Sequence, residues 1–214
     1  MHDGVLSHYN DSCIDFILKR LKRAYPSIKF LAKGWRSWVF EVNGKVIKVC
    51  KRKDVFNREL KNLITLQRFP FVPKIYGYIK SMNAIIMEKI KGESLENFLL
   101  KEKDQKRIRM VVRECLLISL CLDWINFFSP EFNKPYKHLI VTKKGVKLID
   151  FERFRKSRRS NFTQLISYFF FNKKISSVIK KAFSIKRDIK RELLLFCKEY
   201  KRKRESNVIS SFLF

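Results

Sequence analysis

Glycine and proline are scarce, six and five in 214 residues. That argues against collagen-like, linker-rich or disordered architectures and favours helices and compact strands. Acids are scarce too: 20 Asp and Glu stand against 48 Lys and Arg, a formal net charge of +28. So large an imbalance repels itself. It implies a polyanionic partner such as RNA, DNA, an acidic protein or a membrane surface, unless the whole source proteome is Lys-rich. The five cysteines, Cys13, Cys50, Cys115, Cys121 and Cys197, form no CxxC pair and no zinc spacing. An odd number with no signal peptide points to a reducing cytoplasm. No apolar run reaches membrane-spanning length: the most apolar segment, residues 110–128, is interrupted by Arg113, Glu114 and Asp123 and reads as a buried helix. What remains is 46% hydrophobic and 14% aromatic residues, ample for one large domain or two small lobes sharing a cleft.

The most informative stretch is residues 138–152. Two short apolar runs, Leu139–Val141 and Val146–Ile149, flank Thr142-Lys143-Lys144-Gly145, the pattern of a β-hairpin whose glycine is free to take positive φ. The second strand ends in Asp150. A lone acid there is exposed at a sheet rim, where it can hold a cation or simply remain solvated.

Upstream, residues 1–10 read as a loose tail. Ile14, Ile17, Leu18 and Leu21 recur at helical spacing after Asp11 or Ser12 as N-caps, up to Pro26. Strands follow from Phe30 to Cys50, with Asn43-Gly44 a strong hairpin turn. Strand alternation puts Lys48 on the face of Val46 and away from Ile47 and Val49. The next helix carries an apolar stripe of Phe56, Leu60, Leu63, Ile64 and Leu66, with Glu59 beside it. Glu59 has no basic residue four positions away on its own helix, so it is either an inward acid or a solvated one. Residues 71–79 and 84–90 read as two more strands, completing a five-stranded sheet. Ser94 is placed to cap a helix, and a long helix is expected over 108–128.

Glu131 and Asn133 lie in the loop that leads to His138. Beyond Glu152 runs a dense basic segment, residues 153–161, that would attract a polyanion or remain a solvated loop. Short helices are expected over 163–171 and 175–183, then residues 189–200 ahead of a frayed basic end at Lys201–Arg204 and an apolar tail.

Set in order, these features resemble a protein kinase over most of residues 30–155. Ala32, Gly34, Ser37 and Val39 fall on the fixed positions of a Gly-rich phosphate loop, although only Gly34 keeps the glycine. Lys45-Val46-Ile47-Lys48 resembles the V-A-I-K strand, and Glu59 stands at the place of its helix glutamate. Met87-Glu88-Lys89-Ile90-Lys91-Gly92-Glu93-Ser94-Leu95 resembles a hinge whose backbone, near Glu88 and Ile90, bonds adenine. Asp150-Phe151-Glu152 replaces D-F-G, and His138 takes the place of the magnesium-binding Asn. H-R-D and A-P-E are both missing. Glu131 is the acid close enough to stand for the catalytic Asp, seven residues before His138 instead of five. Pro135-Tyr136-Lys137-His138 and Asp150-Phe151-Glu152-Arg153 resemble a small, atypical archaeal protein-kinase-like group. The likeness to RIO kinases and to the small kinase of the KEOPS complex is more distant.

The resemblance implies an α+β fold with two lobes: a small five-stranded antiparallel N-lobe with one αC-type helix, and a reduced helical C-lobe. Its divisions would be residues 1–25 (tail and accessory helix), 26–88, 89–205 and 206–214. It implies an ATP-dependent serine/threonine kinase, autophosphorylating or an ATPase, that uses Mg²⁺ or Mn²⁺. Lys48 would hold the α/β-phosphates and pair with Glu59, Asp150 and His138 would serve the metal, and Glu131 would orient the acceptor hydroxyl. The acceptor would be a protein. RNA or a ribonucleoprotein suits the charge as a partner by analogy with those relatives. The alternatives are a pseudokinase that serves as an RNA- or ribosome-binding module, and a small-molecule kinase.

Overall fold

A computed structural model describes residues 11–205. The tails expected at 1–10 and 206–214, and the capping side chains expected at Asp11 and Ser12, lie outside what it describes. Over these residues the chain divides into two units. The first takes residues up to Gln67 together with Pro73–Lys89; the second takes Arg68–Val72 and the chain from Ile90 onward. No helix among the described residues is long and apolar enough to cross a membrane.

The first unit is a five-stranded antiparallel sheet with a helix on each face. Helix α1 (Asp11–Ala24) is followed by β1 (Lys29–Lys33), β2 (Ser37–Val42), β3 (Lys45–Cys50), α2 (Lys53–Leu66), β4 (Ile75–Ile79) and β5 (Ala84–Glu88). The strand order is β1-β2-β3-β5-β4, so β3 is central and β1 and β4 are the edges. Asn43 and Gly44, at φ 47° and 72°, turn β2 into β3 with the left-handed pair that matches strand twist. Ile14 and Leu21 of α1 pack on Phe40, Val42, Ile47 and Val49, alternate residues that share one sheet face. On α2 the buried stripe is Val55, Phe56, Glu59, Asn62, Leu63 and Leu66. Ile64, expected in that stripe, is exposed. It lies one helical step from Leu63, about 100° round.

Phe71 and Val72, expected to open a strand, are buried outside any strand. The Phe71 carbonyl accepts the Leu148 N–H at 2.8 Å, which ties this segment to the second unit, and β4 starts only after Pro73.

The second unit continues with β6 (Glu93–Ser94), α3 (Leu95–Lys101), α4 (Gln105–Trp124), β7 (Phe127–Phe128), β8 (Leu139–Thr142), β9 (Gly145–Leu148), β10 (Arg155–Lys156), α5 (Asn161–Phe171), α6 (Ser176–Ala182) and α7 (Lys190–Glu205). Ser94 caps α3 by accepting the Asn97 N–H at 3.3 Å. Helix α4 ends four residues before Phe128, because Asn126 turns into the left-handed region at φ 55°. Phe127 and Phe128 then form β7, which pairs antiparallel with β10. Part of the expected basic loop is therefore strand. The helix is also not buried throughout: Met110, Leu117 and Trp124 are exposed. They recur every seven residues and so share one outward stripe.

The hairpin β8–β9 turns through Lys143-Lys144, with Gly145 at φ 118°. A Cβ on Gly145 would collide with Glu114 Oε1. That oxygen accepts the Val146 N–H at 2.8 Å, which locks the hairpin to α4.

The basic C-terminal run is not frayed. Helix α7 continues to Glu205, and Arg204 is buried with its guanidinium 3.7 Å from the Asp123 carboxylate.

Candidate functional site

In the first unit the chemistry gathers on β3 and α2. Lys48 is central on β3, opposite Val39 of β2 and Ile85 of β5, on the sheet face turned away from α1. It is 6% exposed and Glu59 is 1% exposed. The Lys48 Nζ lies 2.6 Å from Glu59 Oε1. The Cys50 thiol, two residues on and so on the same face, donates weakly to Glu59 Oε2 at 3.8 Å. Burying an ammonium and a carboxylate is costly, and the pair survives burial only because each compensates the other. The result is a fixed, dry cation.

The residues matched to a Gly-rich loop flank this strand. Ala32 lies on the exposed edge strand β1 opposite Val39. Gly34 opens the β1–β2 turn, donating its N–H to the Ser37 carbonyl at 2.8 Å. An added Cβ at Gly34 would meet only ordinary contacts at 3.4 Å, so the turn itself does not require glycine. Lys51 braces the turn by donating to the Trp35 carbonyl at 2.9 Å. Partial burial, followed by the nearby Lys33 charge, lowers the Lys51 pKa below the usual lysine value. Of the pair matched to a hinge, the Glu88 N–H is already spent on the Lys74 carbonyl at 2.8 Å. Ile90 is half-buried.

In the second unit the sequence candidates converge on an aromatic cluster. Phe154 stacks on Phe151 at 5.4 Å and on Phe127 at 5.9 Å, and meets Phe132 edge-on at 6.3 Å. Phe151 belongs to the turn after β9 and Phe132 to the loop after β7. This packing therefore draws Asp150 and Glu131 together. Ile149 extends the hairpin ladder by donating to the His138 carbonyl at 2.9 Å. Asp150 then takes φ 62°, uncommon for a residue with a Cβ and of a kind found at functional turns.

Its side chain is 42% exposed, with Oδ2 3.7 Å from His138 Nδ1. On the other side of the ring, His138 Nε2 lies 3.5 Å from Glu131 Oε2. Arg153 Nη1 donates to Glu131 Oε1 at 3.4 Å. His138 Nδ1 is buried and lacks a hydrogen-bond partner. This is a line of carboxylate, imidazole, carboxylate and guanidinium that runs from Asp150 to Arg153. Among the described residues no group of three or more His, Cys, Asp or Glu side chains forms a metal cage. Asp150 and His138 are the two side chains that would meet a cation held here.

Sequence reasoning missed what holds this loop. Asp123, buried at the end of α4, accepts from Ser160 Oγ at 2.8 Å, Asn161 N at 2.7 Å, Asn161 Nδ2 at 2.9 Å and Tyr200 Oη at 3.1 Å. Asn161 in turn accepts the Ser129 N–H at 2.9 Å and donates to the Phe127 carbonyl at 2.8 Å. Ser129 Oγ accepts the Glu131 N–H at 3.2 Å. One buried carboxylate thus fixes, through Asn161, the backbone that carries Glu131. An acid near the end of the apolar run of α4 was the available signal, since a buried charge needs a partner.

The fold and these groups define an α+β protein with a five-stranded antiparallel sheet and a helical second unit, each holding an organised cluster of charged side chains. No family model matches the chain. It is similar to the uncharacterized protein MJ1211 of Methanocaldococcus jannaschii, 31% identical over 117 residues that make up 54% of this chain and 99% of that protein, and it belongs to that protein's family.

Proposed function

We propose that the chain is an ATP-dependent phosphotransferase of the two-lobed protein-kinase-like kind, with a serine or threonine hydroxyl as acceptor. The buried Lys48–Glu59 pair, joining a central strand to the helix that follows it, carries this reading. A buried cation is costly, and holding the α- and β-phosphates gives it a use. In this reading Glu59 orients Lys48, and the Ala32–Val39 turn and the Glu88–Ile90 backbone border the nucleotide. Asp150 would hold a Mg²⁺ or Mn²⁺ ion, which would supply neutralisation of phosphate charge. His138, with Nδ1 facing Asp150, steadies that carboxylate; as a direct ligand it would favour Mn²⁺. Glu131 orients the acceptor hydroxyl. Transfer then rests on positioning and charge neutralisation.

A second reading, a non-catalytic nucleotide-responsive module, is favoured by one observation. Glu131 is already engaged by Arg153 and faces His138, where a working base needs an accessible carboxylate.

Calorimetric titration with ATP tests both readings. The expected result is binding that strengthens with Mg²⁺ or Mn²⁺ and loses only that metal-dependent gain in Asp150→Asn, a half-exposed position whose change spares the core. Absence of ATP binding with either metal contradicts both readings.

A further inference from the structure

The basic segment after Glu152 and the C-terminal helix share a groove that phosphotransfer does not use. A cavity of about 490 Å³ opens between the β10–α5 loop and α7, lined by Arg158, Arg159 and Lys201 together with Ser157, Thr163 and Gln164. A second cavity, of about 390 Å³, shares Thr163, Gln164 and Lys201 and extends the groove toward Asn133 and Asn172. Among the described residues the lining is cationic or neutral. Asp123, the acid beneath this region, is buried and occupied by Ser160, Asn161, Tyr200 and Arg204.

We propose that this groove binds the phosphate backbone of a single-stranded nucleic acid. The inference rests on the second unit alone and holds whether or not the chain transfers phosphate.

Three observations separate the groove from a solvated basic loop. First, the cations come from two elements far apart in sequence and meet on a concave surface bearing hydroxyl and amide groups suited to phosphate oxygens. Second, the loop is pinned. Ser157 donates its N–H to the Asn126 carbonyl at 2.9 Å, Lys156 reaches the Ile125 carbonyl at 3.0 Å, and Arg204 donates to the Arg158 carbonyl at 3.3 Å. A groove fixed before binding loses less entropy when it is filled. Third, Trp124 is 70% exposed at the end of α4, two residues before Asn126, whose carbonyl holds Ser157. Trp124 lines neither cavity, but an exposed indole carried next to the segment that anchors the groove is available to stack an unpaired base at its end. The indole favours nucleic acid over an acidic peptide, and the two joined cavities favour a run of phosphates over a single one.

The test is fluorescence-anisotropy titration of the full chain, without ATP, using labelled 12-mers of uridine and of thymidine, a duplex of the same length and a polyglutamate peptide. The binding variant is R158Q/R159Q/K201Q. The control variant, K106Q/K143Q/K144Q, removes equal charge from exposed positions elsewhere in the second unit. The groove variant is expected to bind single strands at least tenfold more weakly at physiological salt, with the control within about twofold of wild type. Its log–log salt slope should flatten by about 2, three phosphate contacts at roughly 0.7 each. Trp124→Ala is expected to weaken binding at least fivefold without changing the slope. Uridine and thymidine strands distinguish RNA from DNA as the source of the backbone. Equal losses in the groove and control variants overturn the proposal. So does polyglutamate or duplex binding as tight as that of single strands, or an unchanged affinity in Trp124→Ala.

Discussion

Replacing Asp123 by Ala removes the carboxylate on which α4, α5 and α7 converge. Arg204, 5% exposed, is left as a buried charge without its counter-ion, a loss of about 3–5 kcal/mol when one partner of such a pair is deleted. Ser160 Oγ, the Asn161 N–H groups and Tyr200 Oη also lose their acceptor, at about 1–3 kcal/mol each where water cannot replace it. These terms overlap, since the helices relax together. A net destabilisation of about 4 kcal/mol is the working value, a large part of the total stability of an ordinary domain. It corresponds to a fall in Tm of roughly 8–16 °C for a chain of this size, read by the helical circular dichroism signal.

Asp123→Leu combined with Arg204→Met removes both charges and is expected to recover at least half of the loss, because no buried ion is then unpaired. A Tm within about 2 °C of wild type for Asp123→Ala, by the same conversion, would refute the reasoning. So would a double variant no more stable than the single one.

Two further outcomes follow from the buried charges. Glu59→Ala removes the carboxylate bonded to buried Lys48 and should cost about 3–5 kcal/mol, while Lys48→Met/Glu59→Leu should restore most of it in chemical denaturation. Burial, followed by the Asp123 charge, holds the Tyr200 hydroxyl far above the usual tyrosine range. The folded chain therefore keeps a proton that the unfolded chain releases near pH 10. The stabilisation from this group is complete below about pH 10 and is lost as pH rises beyond it. Tm should fall on alkaline titration, less steeply in Tyr200→Phe.

The five-stranded sheet was legible because alternation, Asn43-Gly44 and the apolar stripe of α2 all agree with one another. The hairpin at 139–148 was legible for the same reason. Phe71 and Val72 were misread because a short apolar run looks the same in a strand and in a buried connection. Its partner, the Leu148 N–H, is remote in sequence. Phe127 and Phe128 likewise continue the apolar pattern of α4, and only the left-handed Asn126 separates them from it.

Among the site residues, periodicity placed Lys48 on one sheet face and Glu59 beside the apolar stripe of α2, and the kinase resemblance paired them. The Asp150–His138–Glu131 line could be named from the sequence but not assembled, since the aromatic cluster around Phe154 does the assembling. Arg204 was illegible. A run of four basic residues reads as a solvated end, and the acid that buries one of them lies on a helix far upstream.

The central claim is that the chain transfers phosphate from ATP. Incubation with γ-labelled ATP and Mg²⁺ or Mn²⁺ tests it most directly, comparing wild type with Asp150→Asn and Lys48→Met/Glu59→Leu. Label transfer or phosphate release by wild type, lost in both variants, is the predicted result. Release that persists unchanged in Asp150→Asn, or none from wild type with either metal, would contradict it.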